Sequence, residues 1–173
     1  TKEIIASVLS EKYQVLKTEG NYNNEIGMPL TMLKIRDNHQ IAVIEMGISD
    51  FGEMHRLANI SKPDVCVITN IGTCHLENLG DRDGVFRAKT EMFEHAQKDC
   101  FVVLNGDDDK LINVKEVNGH EPMFFGINTK QNVGIVSHTS KGVMGTEVEI
   151  RYFDKTFTTL IPIPGFHMIY NAL

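Results

Sequence analysis

The segment IAVIEMGISDFGE, residues 41–53, decides how the chain is read. Five of its first six positions, Ile41, Ala42, Val43, Ile44 and Met46, are apolar, the pattern of a short strand covered on both faces. A strand of that kind needs helices packed on each side of its sheet, and helical patterns flank it. TKEIIASVLSEKY (1–13) carries Ile4, Ile5, Val8 and Leu9 on one helical face, YQVLKTE (13–19) reads as a strand, and GNYNNEIGMP (20–29) is dense in turn residues. Pro29 is expected to open a short helix, PLTMLKI. FGEMHRLANIS (51–61) then reads as a helix, DVCVITN (64–70) as a strand, the region from about 82 to 97 as a long helix, FVVLN (101–105) as a strand, and DDDKLINVKE as the start of a short helix. Strands alternating with helices predict an α/β fold, a mostly parallel sheet flanked by helices. From residue 120 onward MFFGI, VGIVSHTS, TEVEIRYF and TFTTLIPI follow with little helix between them, which predicts a small β-rich annex of hairpins near the C-terminus.

At 173 residues, 42% hydrophobic and 23% charged, the chain has the material for one substantial core. No apolar run approaches the roughly 20 residues that span a bilayer, so a soluble protein without a membrane anchor is expected. The net charge of -6, with basic residues scattered, argues against a nucleic-acid surface. Cys66, Cys74 and Cys100 form no CxxC pair, which argues against both a disulfide framework and a zinc site and favours a reducing cytoplasm. The chain opens without methionine on a segment already helical in pattern, so its first residue reads as a cut.

Glu45 is the anomaly in the opening stretch, because an unpaired buried carboxylate costs several kcal/mol. In an open parallel sheet, ligands gather beyond the carboxyl ends of the strands. Glu45, Asn70 and Asn105 all lie where an apolar strand gives out, and His75 follows Asn70 by five residues, so these groups are expected on one sheet edge. A hard cation such as Mg2+ would answer the charge of Glu45; a lysine partner or a helix-capping role would answer it equally. Lys89 falls inside the apolar stripe Val85, Phe86, Ala88, Met92, Phe93 and Ala96. Its pattern favours a lysine whose stem covers apolar surface, the alternative being an amine of lowered pKa that reacts with carbon dioxide to give a carbamate. NGDDDK (105–110) reads as a strand-end asparagine followed by an acidic helix start. His39, His55 and His120 read as surface or loop histidines. No nucleophile motif is present, and there is no GxxxxGK[ST] to cradle a phosphate.

Taken together, TEGNYNNEIGMPLTML, AVIEMGISDFGEMHRLANISKPDVCVITNIGTCHLENLG, RAKTEMF, VLNGDDD and GFHMIYNAL resemble the central ATP-binding domain of the Mur ligases, over essentially the whole chain and in the family's order. The resemblance implies that residues 1–173 are that central domain, with the P-loop just before Thr1 and a C-terminal ligase domain after Leu173. It implies ATP and Mg2+ as cofactors, with Glu45 and His75 as metal ligands, Lys89 as a carbamylated lysine holding a metal, and all three as catalytic residues. Asn105 would line the adenine pocket, with His167 and Asn171 counted among the nucleotide-binding residues, while Asn23 and Asn24 would face the substrate. Met168 departs from the family's pattern, standing where an asparagine is usual. The activity implied is amide-bond formation through an acyl phosphate, with UDP-MurNAc-tripeptide and D-Ala-D-Ala as substrates of a cytoplasmic monomer. A sister Mur ligase, a folylpolyglutamate-type ligase and a non-catalytic nucleotide-binding module remain as alternatives.

Overall fold

The computed structural model describes residues 1–128 and 132–173, and the chain divides into two units. The first comprises residues 1–66 and 71–100, the second residues 67–70 and 101–173.

In the first unit, α1 (Lys2–Ser10) leads into β1 (Val15–Lys17), α2 (Gly27–Met32) and β2 (Ile41–Val43). β1 and β2 pair in parallel, with Val15 opposite Ile41 and Lys17 opposite Val43. The helix α2 begins two residues before Pro29, which therefore stands in its first turn, where its missing N–H costs nothing. The apolar stretch from Ile41 is shorter and less covered than its composition suggests: the strand ends at Val43, and Ala42 is exposed. β2 pairs only with β1 among the described residues, so it is not the central, doubly covered strand that the run of apolar residues predicts.

α3 (Glu53–Ser61) closes on Lys62 in the left-handed region, directly before Pro63, which cannot continue a helix. Its inner face carries Met54, Leu57 and Ala58, all buried. After β3 (Val65–Ile68), a short α4 (Leu76–Leu79) precedes α5 (Arg82–Thr90). Asp81 caps α5 by accepting from Gly84 N at 2.8 Å, while Arg87 and Lys89 complement its C-terminal end. Gly84 is required here: a Cβ would lie 1.7 Å from the Leu79 carbonyl oxygen. The expected single helix to residue 97 is instead α5 followed by a 3-10 turn, Glu91–His95.

In the second unit the sheet order is β3, β4 (Phe101–Asn105), β5 (Met123–Phe125), β6 (Val133–Ser140), β7 (Thr146–Tyr152), β8 (Lys155–Ile161). β4, β5 and β6 pair in parallel, so MFFGI, expected in the hairpin annex, belongs to the parallel part of the sheet, and β6, β7 and β8 form an antiparallel meander that answers to the rest of the annex. β7 shows the period of two: Thr146, Val148 and Ile150 are buried, alternating with Glu147, Glu149 and Arg151. Val148 and Ile150 join Phe125, Val133, Ile161 and Ile169 of α6 (Met168–Ala172) in one core. β8 ends the sheet and is followed by Pro162 and Pro164. The expected short helix after β4 is a single 3-10 turn, Leu111–Asn113. Among the described residues no helix is long and apolar enough to cross a membrane.

Candidate functional site

The parallel pairing of β1 and β2 brings Thr18 beside Glu45, and the buried Thr18 hydroxyl accepts from Glu45 N at 2.9 Å. The Asn23 amide donates to Glu45 Oε1 at 2.7 Å, while Gly47 N donates to the Asn23 carbonyl at 2.7 Å. The turn after β1 and the loop after β2 are thereby tied together. A Cβ at Gly47 would come within 2.9 Å of the Asn23 side chain, so any larger residue there would push the Asn23 amide from its place against Glu45. Lys2 Nζ lies 3.4 Å from Glu45 Oε2 and donates to the carbonyls of Thr18 and Gly20 at 2.8 and 2.6 Å. The positive group that Glu45 meets in the fold is thus a lysine, and the carboxylate is not sealed away: its side chain is 39% exposed.

Beside this carboxylate lies a groove of about 500 Å³ whose lining includes Asn23, Asn24, Gly47, Ser49, Glu53 and His75. Asn24 Oδ1 accepts from Ile26 N and Gly27 N at 3.1 and 2.8 Å, which fixes the start of α2. His75 is exposed, with Nδ1 3.9 Å from Glu77 Oε1, and its backbone is left-handed at φ 59°. That conformation costs a non-glycine residue roughly 1–2 kcal/mol, and strain of this kind clusters at functional positions. It is held by α4, whose Leu79 N bonds the His75 carbonyl at 2.9 Å and whose Asn78 amide reaches Ser49 O at 3.1 Å. Glu25, also at the groove, pairs with Arg56, whose hydrogen bond holds the carboxyl below its ordinary pKa. Lys89 is half-buried in the last turn of α5, next to fully buried Ala88.

In the second unit Asn105 ends β4 with its side chain engaged at both ends: Nδ2 donates to Thr69 O and Oδ1 accepts from Asp107 N, each at 2.9 Å. Asp107, read from sequence only as part of an acidic cluster, is the organising residue here. Its carboxylate accepts from Ile127 N at 2.6 Å and from the Tyr170 hydroxyl at 2.9 Å, so it joins the end of β4 to the loop after β5 and to α6. Burial and then the Asp107 carboxylate push the Tyr170 phenol up to about 12. The exposed His167 immediately precedes α6, and Asn171 Nδ2 reaches Met168 Sδ at 3.6 Å. Met168 itself packs against the core of this unit. The only signal for Asp107 in the sequence is its place two residues after a strand-end asparagine.

The expectation that Glu45, Asn70 and Asn105 share one sheet edge is corrected by the pairing. Glu45 follows a strand of the two-stranded sheet, whereas Asn70 and Asn105 follow strands of the other sheet. The structure does bring Asn23, Asn24 and His75 to one groove beside Glu45, and Asn105 into a chain of bonds that ends on α6.

A family profile described as Mur ligase middle domain matches residues 1–173. The chain is 38% identical over 173 residues to the UDP-N-acetylmuramoyl-tripeptide--D-alanyl-D-alanine ligase of Bacillus subtilis strain 168, covering 100% of this chain and 36% of that protein. Among solved structures it is similar to MurF from Acinetobacter baumannii, with a TM-score of 0.90, 32% identity, and coverage of 98% of this chain and 37% of that one. It is also similar to the MurF ligase of Thermotoga maritima in complex with ADP, with a TM-score of 0.84, 32% identity, and coverage of 99% and 40%. The chain therefore spans a little over a third of the length of the curated relative it matches.

Proposed function

Because the chain belongs to the Mur ligase middle-domain family, we propose that it is the nucleotide- and metal-handling part of an ATP-dependent ligase that joins D-alanyl-D-alanine to UDP-N-acetylmuramoyl-tripeptide. The observation that carries this reading is the match of the whole chain to a ligase named for those two substrates. The likeness to a ligase solved with ADP supports ATP as the energy source.

In the proposed reaction the γ-phosphoryl group of ATP passes to the terminal carboxylate of the tripeptide, leaving ADP and an acyl phosphate. The amine of D-Ala-D-Ala then forms the amide bond and phosphate departs. Catalysis of such transfers is mainly positioning plus neutralisation of crowded oxygens. The Glu45 environment fits a hard divalent cation. The carboxylate is partly exposed, one oxygen is oriented by the amide of Asn23, which lines the groove, and the other lies 3.4 Å from Lys2, longer than a close ion pair. We assign Glu45, His75 and Lys89, the last as its carbamate, to hold Mg2+, which when bound supplies charge neutralisation for phosphate and carboxylate oxygens. Asn23 keeps Glu45 aimed, Lys2 adds a fixed positive charge, and Asn23 and Asn24 face the peptide substrate. Asn105, His167 and Asn171 are assigned to the nucleotide. The protein acts as a cytoplasmic monomer in peptidoglycan precursor synthesis.

The test is phosphate release by the intact protein with ATP, Mg2+ and UDP-MurNAc-tripeptide, offering D-Ala-D-Ala, lysine, diaminopimelate and glutamate one at a time. Release that depends on D-Ala-D-Ala is expected. Release with another acceptor moves the chain to a sister ligase, and none with any acceptor overturns the catalytic reading.

A further inference from the structure

Away from the groove, α3 and the 3-10 turn after α5 place three metal-ligating side chains against one another. His55 is the third residue of α3, and Glu94 and His95 end the turn Glu91–His95. His55 Nδ1 is 2.9 Å from Glu94 Oε2, and His95 Nε2 is 3.1 Å from His55 Nδ1 and 3.2 Å from its Nε2. The imidazoles meet edge to face, with centroids 4.2 Å apart and an interplanar angle of 75°. The scaffold beneath them is fixed. Glu91, on the same turn as Glu94 and His95, accepts from Gly52 N at 3.0 Å and His55 N at 3.2 Å, satisfying donors that the start of a helix leaves open. Met54, Leu57, Ala58 and Met92 are buried below.

One ligand atom from each of the three side chains lies within 4.8 Å of the other two. A single cation placed among them can take all three as ligands. Two histidines and one glutamate are a borderline-soft donor set suited to Zn2+, which takes such ligands with water in the remaining position. In a tetrahedral zinc site neighbouring donor atoms stand roughly 3.3 Å apart, close to the 2.9 and 3.1 Å that separate His55 Nδ1 from Glu94 Oε2 and from His95 Nε2, and the side chains of His55 and Glu94 are exposed enough to turn toward an ion. The lack of a CxxC pair excludes a cysteine site only. We propose that His55, Glu94 and His95 form a binding site for one Zn2+ ion, which staples the start of α3 to the turn that follows α5. This site shares no residue with the groove beside Glu45 and uses a softer donor set.

The test uses the intact, tag-free protein in excess Mg2+, so that oxygen-rich sites are filled, titrated with zinc sulfate by calorimetry and with Co2+ by visible absorption. One zinc equivalent, a tetrahedral cobalt spectrum and a raised melting temperature are expected. The His55→Ala, His95→Ala double variant is expected to weaken zinc binding by more than about tenfold while melting normally without metal. As a check that needs no variant, zinc should shield His55 and His95 from diethyl pyrocarbonate in a mass map. Absence of saturable zinc binding, unchanged binding in the double variant, or protection confined to other histidines overturns the proposal.

Discussion

Lys89 lies one residue beyond fully buried Ala88 and four beyond buried Val85, so its stem starts from the covered face of α5. A stem-covering lysine and a carbamylated one share that placement, and removal of the amine separates them. Lys89→Ala in the intact protein is expected to lower ligation more than about a hundredfold, the scale of losing one preorganised electrostatic group. Partial recovery on adding acetate would mark the lost carboxylate. Activity equal to the parent's, measured by phosphate release, would leave Lys89 a packing residue. The residues near Glu45 show how much of a site a sequence discloses. Glu45, Asn23, Asn24 and His75 are each visible as polar groups at strand ends or in turns, because apolar runs stop abruptly there. The lysine that faces Glu45 is not, since Lys2 sits 43 positions away in the chain and on a helix whose pattern shows only its apolar face. His55 reads as a surface histidine for the same reason: its partners Glu94 and His95 reach it only through packing.

Element boundaries reflect a contest between periodicity and local geometry. The apolar stripe of α5 continues through Met92 and Phe93, yet the backbone tightens after Thr90, whose hydroxyl bonds the carbonyls of Phe86 and Arg87 at 2.9 and 3.1 Å. Such back-bonding by a hydroxyl bends helices, and periodicity alone does not register it. The strands of the β-meander are legible as strand-rich runs, although only β7 shows clean alternation of burial, whereas the coverage of β2 depends on which strands it pairs with, a non-local fact. The contact between Gly84 and the Leu79 carbonyl gives a sharp test of the α4–α5 corner. Gly84→Ala forces backbone to move and is expected to destabilise the protein by several kcal/mol, read by urea unfolding, although alanine is the better helix former by about 1 kcal/mol. A variant as stable as the parent would mean that the corner yields freely.

Stability against pH is a property of the whole chain, and here it has an alkaline limit. The Tyr170 phenol ionises at about 12 when folded and at 10.0 ordinarily, so the folded state holds this proton more tightly. Its contribution is complete below pH 10 and is lost as the pH climbs through the window to about 12. Urea unfolding at a series of alkaline pH values should show that decline, and Tyr170→Phe should flatten it while costing roughly 1–2 kcal/mol at neutral pH through the lost bond to Asp107. An unchanged alkaline slope in the variant would assign the loss to other groups. The last strand of the sheet bears on a different hazard. Among the described residues β8 pairs with β7 alone, and it carries the exposed Phe157 and Leu160. A stray strand adding there would find at most the seven residues Lys155–Ile161 before meeting Pro162 and Pro164, neither of which has an N–H to offer. With a lysine at one end and prolines at the other, the β8 edge of the sheet offers a growing aggregate only a short template.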